Sequence, residues 1–481
     1  MTKNLKWNVV IGLEVHVQLN TKTKLFCGCR NDSLGKPNSR CCPVCIGLPG
    51  ALPVPNKSAI EKSALFGIAV NSKINSKIQF ARKNYFYPDL PKGYQTSQFS
   101  LPISEFGKFH FFHNEKLKSI RLTRAHLEED AGKLIHSVQD NATHIDLNRC
   151  GTPLLEIVSE PDLRSAGEAR MYLNQLKQLI QYLGISNCDM EKGQLRCDCN
   201  VSIRKNESDK FGTRTEIKNV NSFKFVEKAI KHEIKRQINL IKNGKKVQQC
   251  TLQYDDKLDS ISVVRLKEDA QDYRYFPCPD LPPVLLSDKK LKEIKSGCPE
   301  IPTDKQLRFQ NNYKLSFTDS NRICQSLEIA NYFEELSKKI KNPKEAKNLL
   351  LGEISKILKL KNIAINDIPI SIEQFSDLYK LKTEGKISSI NYKKAIIFLS
   401  ESKDSLIKIL KENNLLIEQD NSLMDKVIEI ANKHTNELER YRNGEEKLKG
   451  FFMGQIMRET QGKSNPQEIL KLIENLKTHS S

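Results

Sequence analysis

The sequence predicts an α+β protein in which a sheet-containing part is followed by two helical parts. Residues 1–295 alternate apolar and polar side chains in short runs between Pro- and Gly-containing turns, which is typical of antiparallel sheet mixed with helices. Residues 296–405 place apolar side chains three and four apart between Lys-rich faces, the spacing of amphipathic helices. Prolines accumulate across 277–302, as expected at a boundary. Residues 406–481 are predicted to form a small helical unit, whose last helix begins at Asn465-Pro466.

The first predicted strand runs from Trp7 to Leu19, because every odd position in this segment is apolar. Its other face is polar apart from Val10, and it places Glu14 and His16 side by side. A carboxylate and an imidazole so placed can serve one metal ion or one phosphate group. The alternative is a solvent-facing strand whose polar residues carry no function.

A cluster of cysteines follows this strand. Cys27-Gly-Cys29 is separated by twelve residues from Cys42-Pro-Val-Cys45, a spacing that lets four thiolates converge tetrahedrally on Zn²⁺. A site closed by four thiolates has no open position, so it is predicted to be structural. Cys41 leaves the choice of ligands open, and the alternative is a set of reduced thiols without metal.

Carboxylates then recur without an obvious structural reason. Three acids follow one another at Glu128–Asp130, and Glu156 stands within an apolar run, where burial of an unpaired carboxylate is costly. Further polar stripes follow on the predicted strands after residue 190, with Glu191, Arg196, Asp198, Asn200, Glu216 and Lys218.

Such stripes suit Mg²⁺ and phosphate chemistry, because Mg²⁺ takes a few carboxylates with water and phosphate oxygens while Arg and Lys neutralise the phosphate charge. The alternative is a set of structural ion pairs. The sequence contains no Gly-x-x-x-x-Gly-Lys-Ser/Thr loop, which disfavours a P-loop ATPase.

Composition and charge limit the class of protein. No run of about 18 apolar residues is present, and Asn8, Glu14 and His16 interrupt any signal-peptide core, so a cytoplasmic location is predicted. The net charge of +19 favours a polyanionic partner such as RNA, although a Lys-rich genomic bias would produce the same value.

Eight ordered motifs along the chain resemble those of the GatB family, the GatB subunits of the aspartyl/glutamyl-tRNA(Asn/Gln) amidotransferases. They span nearly the whole chain and are Val10–Val17, Cys27–Cys45 with Gly47–Gly50, Arg82–Gly93, Glu128–Lys133, Gly151–Glu156, Gln194–Asp198, Asp272–Pro277 and Gly450–Gln455. The resemblance implies a cradle domain related to glutamine synthetase over 1–295, a helical domain over 296–405 and a YqeY-like tail over 406–481.

The resemblance also implies the reaction, that of a carbon–nitrogen ligase with glutamine as the amido donor. ATP and Mg²⁺ would activate the side-chain carboxylate of Glu or Asp misacylated on tRNA(Gln) or tRNA(Asn), and ammonia would then give Gln-tRNA or Asn-tRNA. The implied catalytic residues are Glu14, His16, Glu129 and Glu156, of which His16, Glu129 and Glu156 would bind Mg²⁺. The implied zinc ligands are Cys27, Cys29, Cys42 and Cys45. With ATP as the implied reagent, the residues expected to bind substrate or ATP are Lys133, Glu191, Arg196, Asp198, Asn200, Glu216, Lys218 and Arg274.

The chain shows no amidase loop with a nucleophilic serine, so the resemblance assigns ammonia production to the GatA subunit, with GatC completing a heterotrimer. Two alternatives stay open: a module that only binds tRNA beside another catalytic subunit, and a glutamine synthetase acting on free glutamate. The tail is expected to contact tRNA, although residues 401–481 carry a net charge of only −1. Local patches would then include Lys447, Lys449, Arg458 and Lys463.

Overall fold

The computed structural model describes residues 7–32, 35–137, 139–218, 220, 222–266, 272–402, 404–417, 423–460, 464 and 466–478. Lys463 and Asn465, which the sequence analysis singles out, lie outside these residues. The chain divides into two compact units, Met1–Leu307 and Arg308–Ser481. Unit 1 contains sheet and helices and unit 2 is helical, which confirms the α+β class. Among the described residues, no helix has the length and apolarity needed to span a bilayer.

Unit 1 is built on strands joined mostly by turns. The described strands are β1 (Asn8–Gln18), β2 (Lys73–Ile74), β3 (Lys77–Ile78), β4 (Ala81–Asn84), β5 (Tyr94–Ser97), β6 (Ser104–His113), β7 (Lys116–Glu129), β8 (Lys133–Ser137), β9 (Ala142–Asp146), β10 (Pro153–Ser159), β11 (Leu195–Arg204), β12 (Thr215–Lys218), β13 (Cys250–Asp255), β14 (Ser260–Leu266), β15 (Phe276–Pro277) and β16 (Val284–Leu285).

Helices connect the strands and fill the described part of unit 2. They are α1 (Lys57–Ala69), α2 (Ala166–Tyr182), α3 (Phe223–Lys242), α4 (Asp288–Ser296), α5 (Pro302–Tyr313), α6 (Phe317–Ile323), α7 (Leu327–Ile340), α8 (Pro343–Leu349), α9 (Ser355–Lys361), α10 (Ile372–Thr383), α11 (Ser389–Glu401), α12 (Leu406–Glu412), α13 (Leu423–Lys433), α14 (Thr435–Arg442), α15 (Leu448–Glu459) and α16 (Pro466–Thr478). A π-helical turn covers Leu350–Ile354, and a 3₁₀ turn covers Ile365–Asp367.

Among the described residues, the main sheet has nine strands in the order β14-β13-β12-β11-β1-β10-β7-β6-β2. Neighbours are antiparallel except β12 and β13, which are parallel. β1 lies at the centre between β10 and β11, and its odd-numbered residues face an apolar core shared with α2 and α3. Since successive side chains of a strand alternate between faces, the even-numbered residues point to the other side. The first predicted strand is therefore confirmed, and its polar stripe lies across the middle of the sheet.

The helices on the core side begin at serine caps. The Ser165 hydroxyl accepts a hydrogen bond from the backbone N–H of Glu168 at the start of α2, and Ser222 does the same for Phe225 at the start of α3. Such caps satisfy N–H groups that have no partner inside the helix. The two helices then pack together and against the sheet, leaving its polar face uncovered by them.

Unit 2 contains two separate apolar clusters. The first joins residues from Phe309 to Leu415, and the second joins residues from Leu423 to Leu476. Leu406, Ile409 and Leu410 of α12 belong to the first cluster. Each cluster provides a small core for the helices around it.

Candidate active site on the sheet face

Three neighbouring strands bring an imidazole and two carboxylates together. His16 of β1 pairs in register with Glu156 of β10, and Glu128 of β7 lies one strand further on the same face. The His16 Nε2 atom lies 3.4 Å from Glu128 Oε1 and 3.4 Å from Glu156 Oε2. On the other side of Glu156, the Nε2 atom of buried His126 lies 3.1 Å from the same carboxylate oxygen.

Burial and neighbouring charges shift the pKa values of the ionisable groups in this cluster. Burial alone would lower the pKa of His16, but the hydrogen bond to Glu156 and the charge of Glu128 outweigh it and raise the pKa to about 9. Burial opposes ionisation of Glu156 too, yet the neighbouring His126 and His16 hold its pKa well below the usual value. Burial and the charge of Glu156 raise the pKa of Glu128. Without a metal ion, the proton on His16 therefore balances the charge of Glu156, and a bound cation would take the place of that proton.

The donor set of this cluster fits a divalent cation. One ligand atom each from His16, Glu128 and Glu156 lies within 4.8 Å of the others. Mg²⁺ is usually bound by one or two carboxylates, with its remaining positions taken by water and substrate phosphates. These three side chains could hold such an ion, which would supply positive charge to offset that of substrate phosphates.

The predicted set of His16, Glu129 and Glu156 does not come together. Glu128 and Glu129 are consecutive residues of β7, so their side chains point to opposite faces of the sheet. The Glu129 carboxylate pairs with Lys92 and accepts a hydrogen bond of 2.8 Å from the backbone N–H of Thr96. Glu128 instead of Glu129 therefore stands beside His16 and Glu156.

Polar side chains of β1, β11 and β12 extend the site across the sheet. Glu14 accepts a hydrogen bond of 2.9 Å from the Nδ2 of Asn200. The Lys218 ammonium lies 2.7 Å from Asp198 and 3.0 Å from Glu216. Burial, followed by the charge of Glu156, raises the pKa of Glu14. These five residues were all predicted for the site, and the structure places them together on the face that carries His16.

A cavity of about 500 Å³ opens over this face. It is lined by His16 and Glu128 together with four cations, which are Lys83, Arg149, Arg196 and Lys218. Glu191 and Asp198 also line it. The Arg196 guanidinium lies 3.0 Å from Asp130, which fixes it at the cavity wall. The described lining has as many carboxylates as Lys and Arg side chains, so a nucleoside triphosphate bound here would also need the positive charge of a cation at the candidate metal cluster.

Two predicted site residues lie elsewhere. Lys133 is exposed on β8, which pairs only with β9 among the described strands. Arg274 is exposed and has a left-handed backbone, with φ of 47°. Neither side chain lines the cavity above His16.

The four predicted cysteines form a second candidate metal centre. The Sγ atom of Cys45 lies 3.8 Å from that of Cys27, 3.8 Å from that of Cys29 and 3.5 Å from that of Cys42. Tetrahedral zinc with bonds of about 2.3 Å separates its sulfur ligands by about 3.8 Å, so the set fits Zn²⁺. Cys41 is not part of this group. A fully buried lysine, Lys24, places its Nζ 3.7 Å from Cys45 Sγ and thereby supplies positive charge beside the thiolates.

Comparison with known proteins places this geometry in a family. A family model described as the GatB/GatE catalytic domain matches residues 9–292, and one described as a GatB domain matches residues 331–476. The chain belongs to the GatB family. The resemblance inferred from the motifs is thus confirmed.

GatB proteins of several bacteria are similar to this chain along nearly its whole length. Three GatB subunits of aspartyl/glutamyl-tRNA(Asn/Gln) amidotransferases are 45% identical to it over 470 residues in Thermodesulfovibrio yellowstonii, 46% over 474 in Geotalea uraniireducens and 43% over 479 in Thermotoga petrophila. Each match covers 98% of this chain and 99% of the relative. All members of the two candidate centres lie within the GatB catalytic-domain match.

Several residues of this GatB site were not predicted from the sequence. Glu128 and His126 could have been predicted from the alternation along β7. They are two residues apart and therefore share a face of the strand, and His126 pairs in register with Glu156. Lys83 lies within β4, a strand of four residues that is too short to show a clear period, and Arg149 lies in the turn before β10. Only the folded chain brings those two cations to the cavity.

Proposed function

We propose that this chain activates the side-chain carboxylate of Glu-tRNA(Gln), Asp-tRNA(Asn) or both with ATP, so that ammonia can convert it to the amide. The observation that carries the proposal is the convergence of His16, Glu128 and Glu156 beneath a cavity with four cations. Such an arrangement matches reagents that are themselves polyanions. Membership of the GatB family supports the same reaction.

In the first step a carboxylate oxygen of the aminoacyl side chain attacks the γ-phosphorus of ATP, and ADP leaves. Both reactants are negatively charged, so their approach requires cations on the cavity wall, a role we assign to Arg196 and Lys218. Positioning accounts for much of the rate enhancement in such a transfer, because two bound reactants no longer lose translational freedom in the reaction.

In the second step ammonia attacks the carbonyl carbon of the acyl phosphate, inorganic phosphate leaves and one proton is lost from nitrogen. A free carboxylate resists this attack because it lacks a good leaving group. We propose that a GatA subunit releases the ammonia from glutamine and that GatC completes the heterotrimer. The cytoplasm, where aminoacyl-tRNA is used, is the proposed location.

The other parts of the chain have supporting roles in this proposal. The cysteine set would hold structural zinc, since four thiolates leave it no open position. We propose a glutamine-synthetase-like cradle over 1–295, a helical domain over 296–405 and a YqeY-like tail over 406–481 that contacts tRNA. The two apolar clusters of unit 2 support two helical parts, but they favour a join after Leu415 over the predicted one at 405/406, because Leu406, Ile409 and Leu410 belong to the first cluster.

The proposal is tested by comparing Glu156→Gln, Glu128→Gln and Glu129→Gln in the complex with GatA and GatC. With Glu-tRNA(Gln) and γ-labelled ATP, we expect Glu156→Gln and Glu128→Gln to slow phosphate transfer by about a hundredfold, the scale for removal of one group that stabilises transition-state charge. Binding of tRNA should be retained in both variants.

Glu129→Gln is the matched comparison, because it removes the neighbouring carboxylate on the other face of β7. If Glu129→Gln alone abolished phosphate transfer, the Mg²⁺ ligands would be His16, Glu129 and Glu156, as the family resemblance implies. If all three variants kept full turnover, the chain would be a tRNA-binding module. Activity on free glutamate without tRNA would instead identify a glutamine synthetase.

A further inference from the structure

Three of the four carboxylates in the described lining of the cavity above His16 have a cationic partner. Glu128 lies 3.4 Å from the imidazole of His16. Asp130 pairs with an arginine at 3.0 Å, and Asp198 pairs with a lysine at 2.7 Å. Within the part of the chain that the structure describes, no hydrogen bond or ion pair involves the side chain of the fourth carboxylate, Glu191. Its negative charge is therefore available to a cationic group of a substrate.

Glu191 is held at this cavity by a closed turn. The Asp189 carboxylate accepts hydrogen bonds of 3.1 Å and 3.4 Å from the backbone N–H groups of Glu191 and Lys192. The Lys192 ammonium lies 3.3 Å from the same carboxylate, so the neighbouring cation is engaged by Asp189. The N–H of Gln194 closes the turn by donating to the carbonyl of Asp189 at 2.8 Å. The turn thus fixes the backbone from which the Glu191 side chain extends.

The turn leads directly into the strand beside His16. β11 begins at Leu195, and its next residue, Arg196, pairs in register with His16 of β1. Glu128 is buried, whereas Glu191 is exposed. The candidate metal cluster therefore lies deeper in the cavity, and Glu191 lies at its open side.

The substrate of the proposed reaction carries one basic group close to the carboxylate that reacts. The α-amino group of an aminoacyl ester is free, and a carboxylate beside it favours its protonated form. Three bonds in Asp and four in Glu, of about 1.5 Å each, separate this nitrogen from the side-chain carboxyl carbon. A substrate whose carboxylate lies above the metal cluster must therefore place its ammonium within or at the edge of the same cavity.

We infer that Glu191 binds the α-ammonium group of the aminoacyl residue and so selects tRNA whose amino acid has a free amine. The inference rests on the proposed function and adds a specificity residue to it. A carboxylate forms a charge-assisted hydrogen bond with an ammonium group, whereas an N-acylated amino acid offers it only a neutral amide. The other three carboxylates of the lining are already balanced by their partners.

The selection is measured in the complex with GatA and GatC by comparing Glu-tRNA(Gln) with the same aminoacyl-tRNA after chemical N-acetylation. The wild type should show a kcat/KM for phosphate release that is about ten- to a hundredfold higher with the free amine, the range for one hydrogen bond to a charged group. Glu191→Gln should lose this preference, because its amide keeps the shape of the side chain but not the charge. The loss should come from slower use of Glu-tRNA(Gln), with use of the acetylated substrate unchanged.

Glu207→Gln is the matched control, since Glu207 is an exposed carboxylate that does not line the cavity. This variant should keep the wild-type preference. Both substrates are compared on one preparation of each protein, so the ratio of their kcat/KM values does not depend on the fraction of active protein.

Equal use of both substrates by the wild type would overturn the inference, as would a preference that persists in Glu191→Gln or a loss of equal size for both substrates. Weaker equilibrium binding of ATP with Mg²⁺ to Glu191→Gln would also overturn it, because the carboxylate would then serve the nucleotide. Failure of the proposed function is separate, since it would appear as absent phosphate transfer to Glu-tRNA(Gln) in the wild type.

Discussion

Glu128 and Glu129 are adjacent in sequence, yet they contact different groups. Glu128 lies 3.4 Å from the imidazole of His16, while Glu129 pairs with Lys92 beneath a separate cavity of about 360 Å³. The family motif contains both residues, so the motif alone does not show which of them lies beside His16. Strand alternation does, because a shift of one residue moves a side chain to the other face of the sheet.

His16 should make the stability of unit 1 depend on pH in magnesium-free buffer. Its pKa rises from 6.5 to about 9 on folding, so the stabilisation is complete below pH 6.5 and is lost as the pH rises through 9. We expect the free energy of unfolding to fall by about 3 kcal/mol between pH 6.5 and 9.5. Trp7, the single tryptophan, immediately precedes β1, and its fluorescence during urea unfolding reports on this unit.

His16→Gln provides the comparison for this measurement. The variant cannot gain a proton at this position, so its stability should change less over the same pH range. An equal decline in the wild type and the variant would show that another group causes it. Saturating Mg²⁺ should also flatten the wild-type profile, because a bound cation replaces the proton.

At the scale of elements, the cysteine segment is tied to the loop that leads into β10. The backbone N–H of Arg40 donates to Asn148 at 2.9 Å, and that of Leu25 donates to the carbonyl of Gly151 at 2.8 Å. The Gly151 N–H in turn donates to the carbonyl of Asp130 at 3.0 Å. Disorder of the cysteine segment would therefore remove hydrogen bonds that hold the start of β10, the strand that carries Glu156.

Cys42→Ser is expected to remove most of the bound zinc and to lower the thermal midpoint of unit 1, because metal binding contributes folding free energy. Zinc per chain, measured by a colorimetric chelator after denaturation, checks the first effect, and Trp7 fluorescence checks the second. Cys41→Ser is the matched control, since Cys41 is adjacent but outside the four-sulfur group. Zinc loss in Cys41→Ser with retention in Cys42→Ser would contradict the ligand set.

At the scale of the whole chain, the two apolar clusters of unit 2 determine which C-terminal deletion leaves the preceding helical core intact. A deletion that begins at residue 406 would take Leu406, Ile409 and Leu410 from the core they share with residues 309–399. A deletion of 418–481 leaves that cluster intact and removes the second one completely. The second deletion therefore tests the tail without disturbing the preceding helices.

Deleting residues 418–481 should weaken tRNA binding about tenfold while the remaining chain still assembles with GatA and GatC. The effect should depend only weakly on salt, because residues 401–481 have a net charge of −1 and offer little general phosphate attraction. Titration of tRNA at two salt concentrations measures this. Unchanged affinity would contradict a role of the tail in tRNA recognition, and failure to assemble would indicate a structural role instead.

The sequence by itself determined the α+β class, the polar face of β1, the four cysteines and the family, because periodicity and ordered motifs are local properties of the chain. Glu14, Asp198, Asn200 and Lys218 were predictable for the same reason, since each follows the alternation of its own strand.

Only the tertiary structure decided which acid joins His16 and which cations surround it. Glu128 meets His16 through the register of β1 with β10 and of β10 with β7, and His16 is more than a hundred residues from Glu128 and Glu156 in the sequence. Lys83 reaches the same cavity from β4, a short strand of another sheet, and Arg149 reaches it from a turn. Strand order and register are set by the packing of the whole core, so no local pattern contains them.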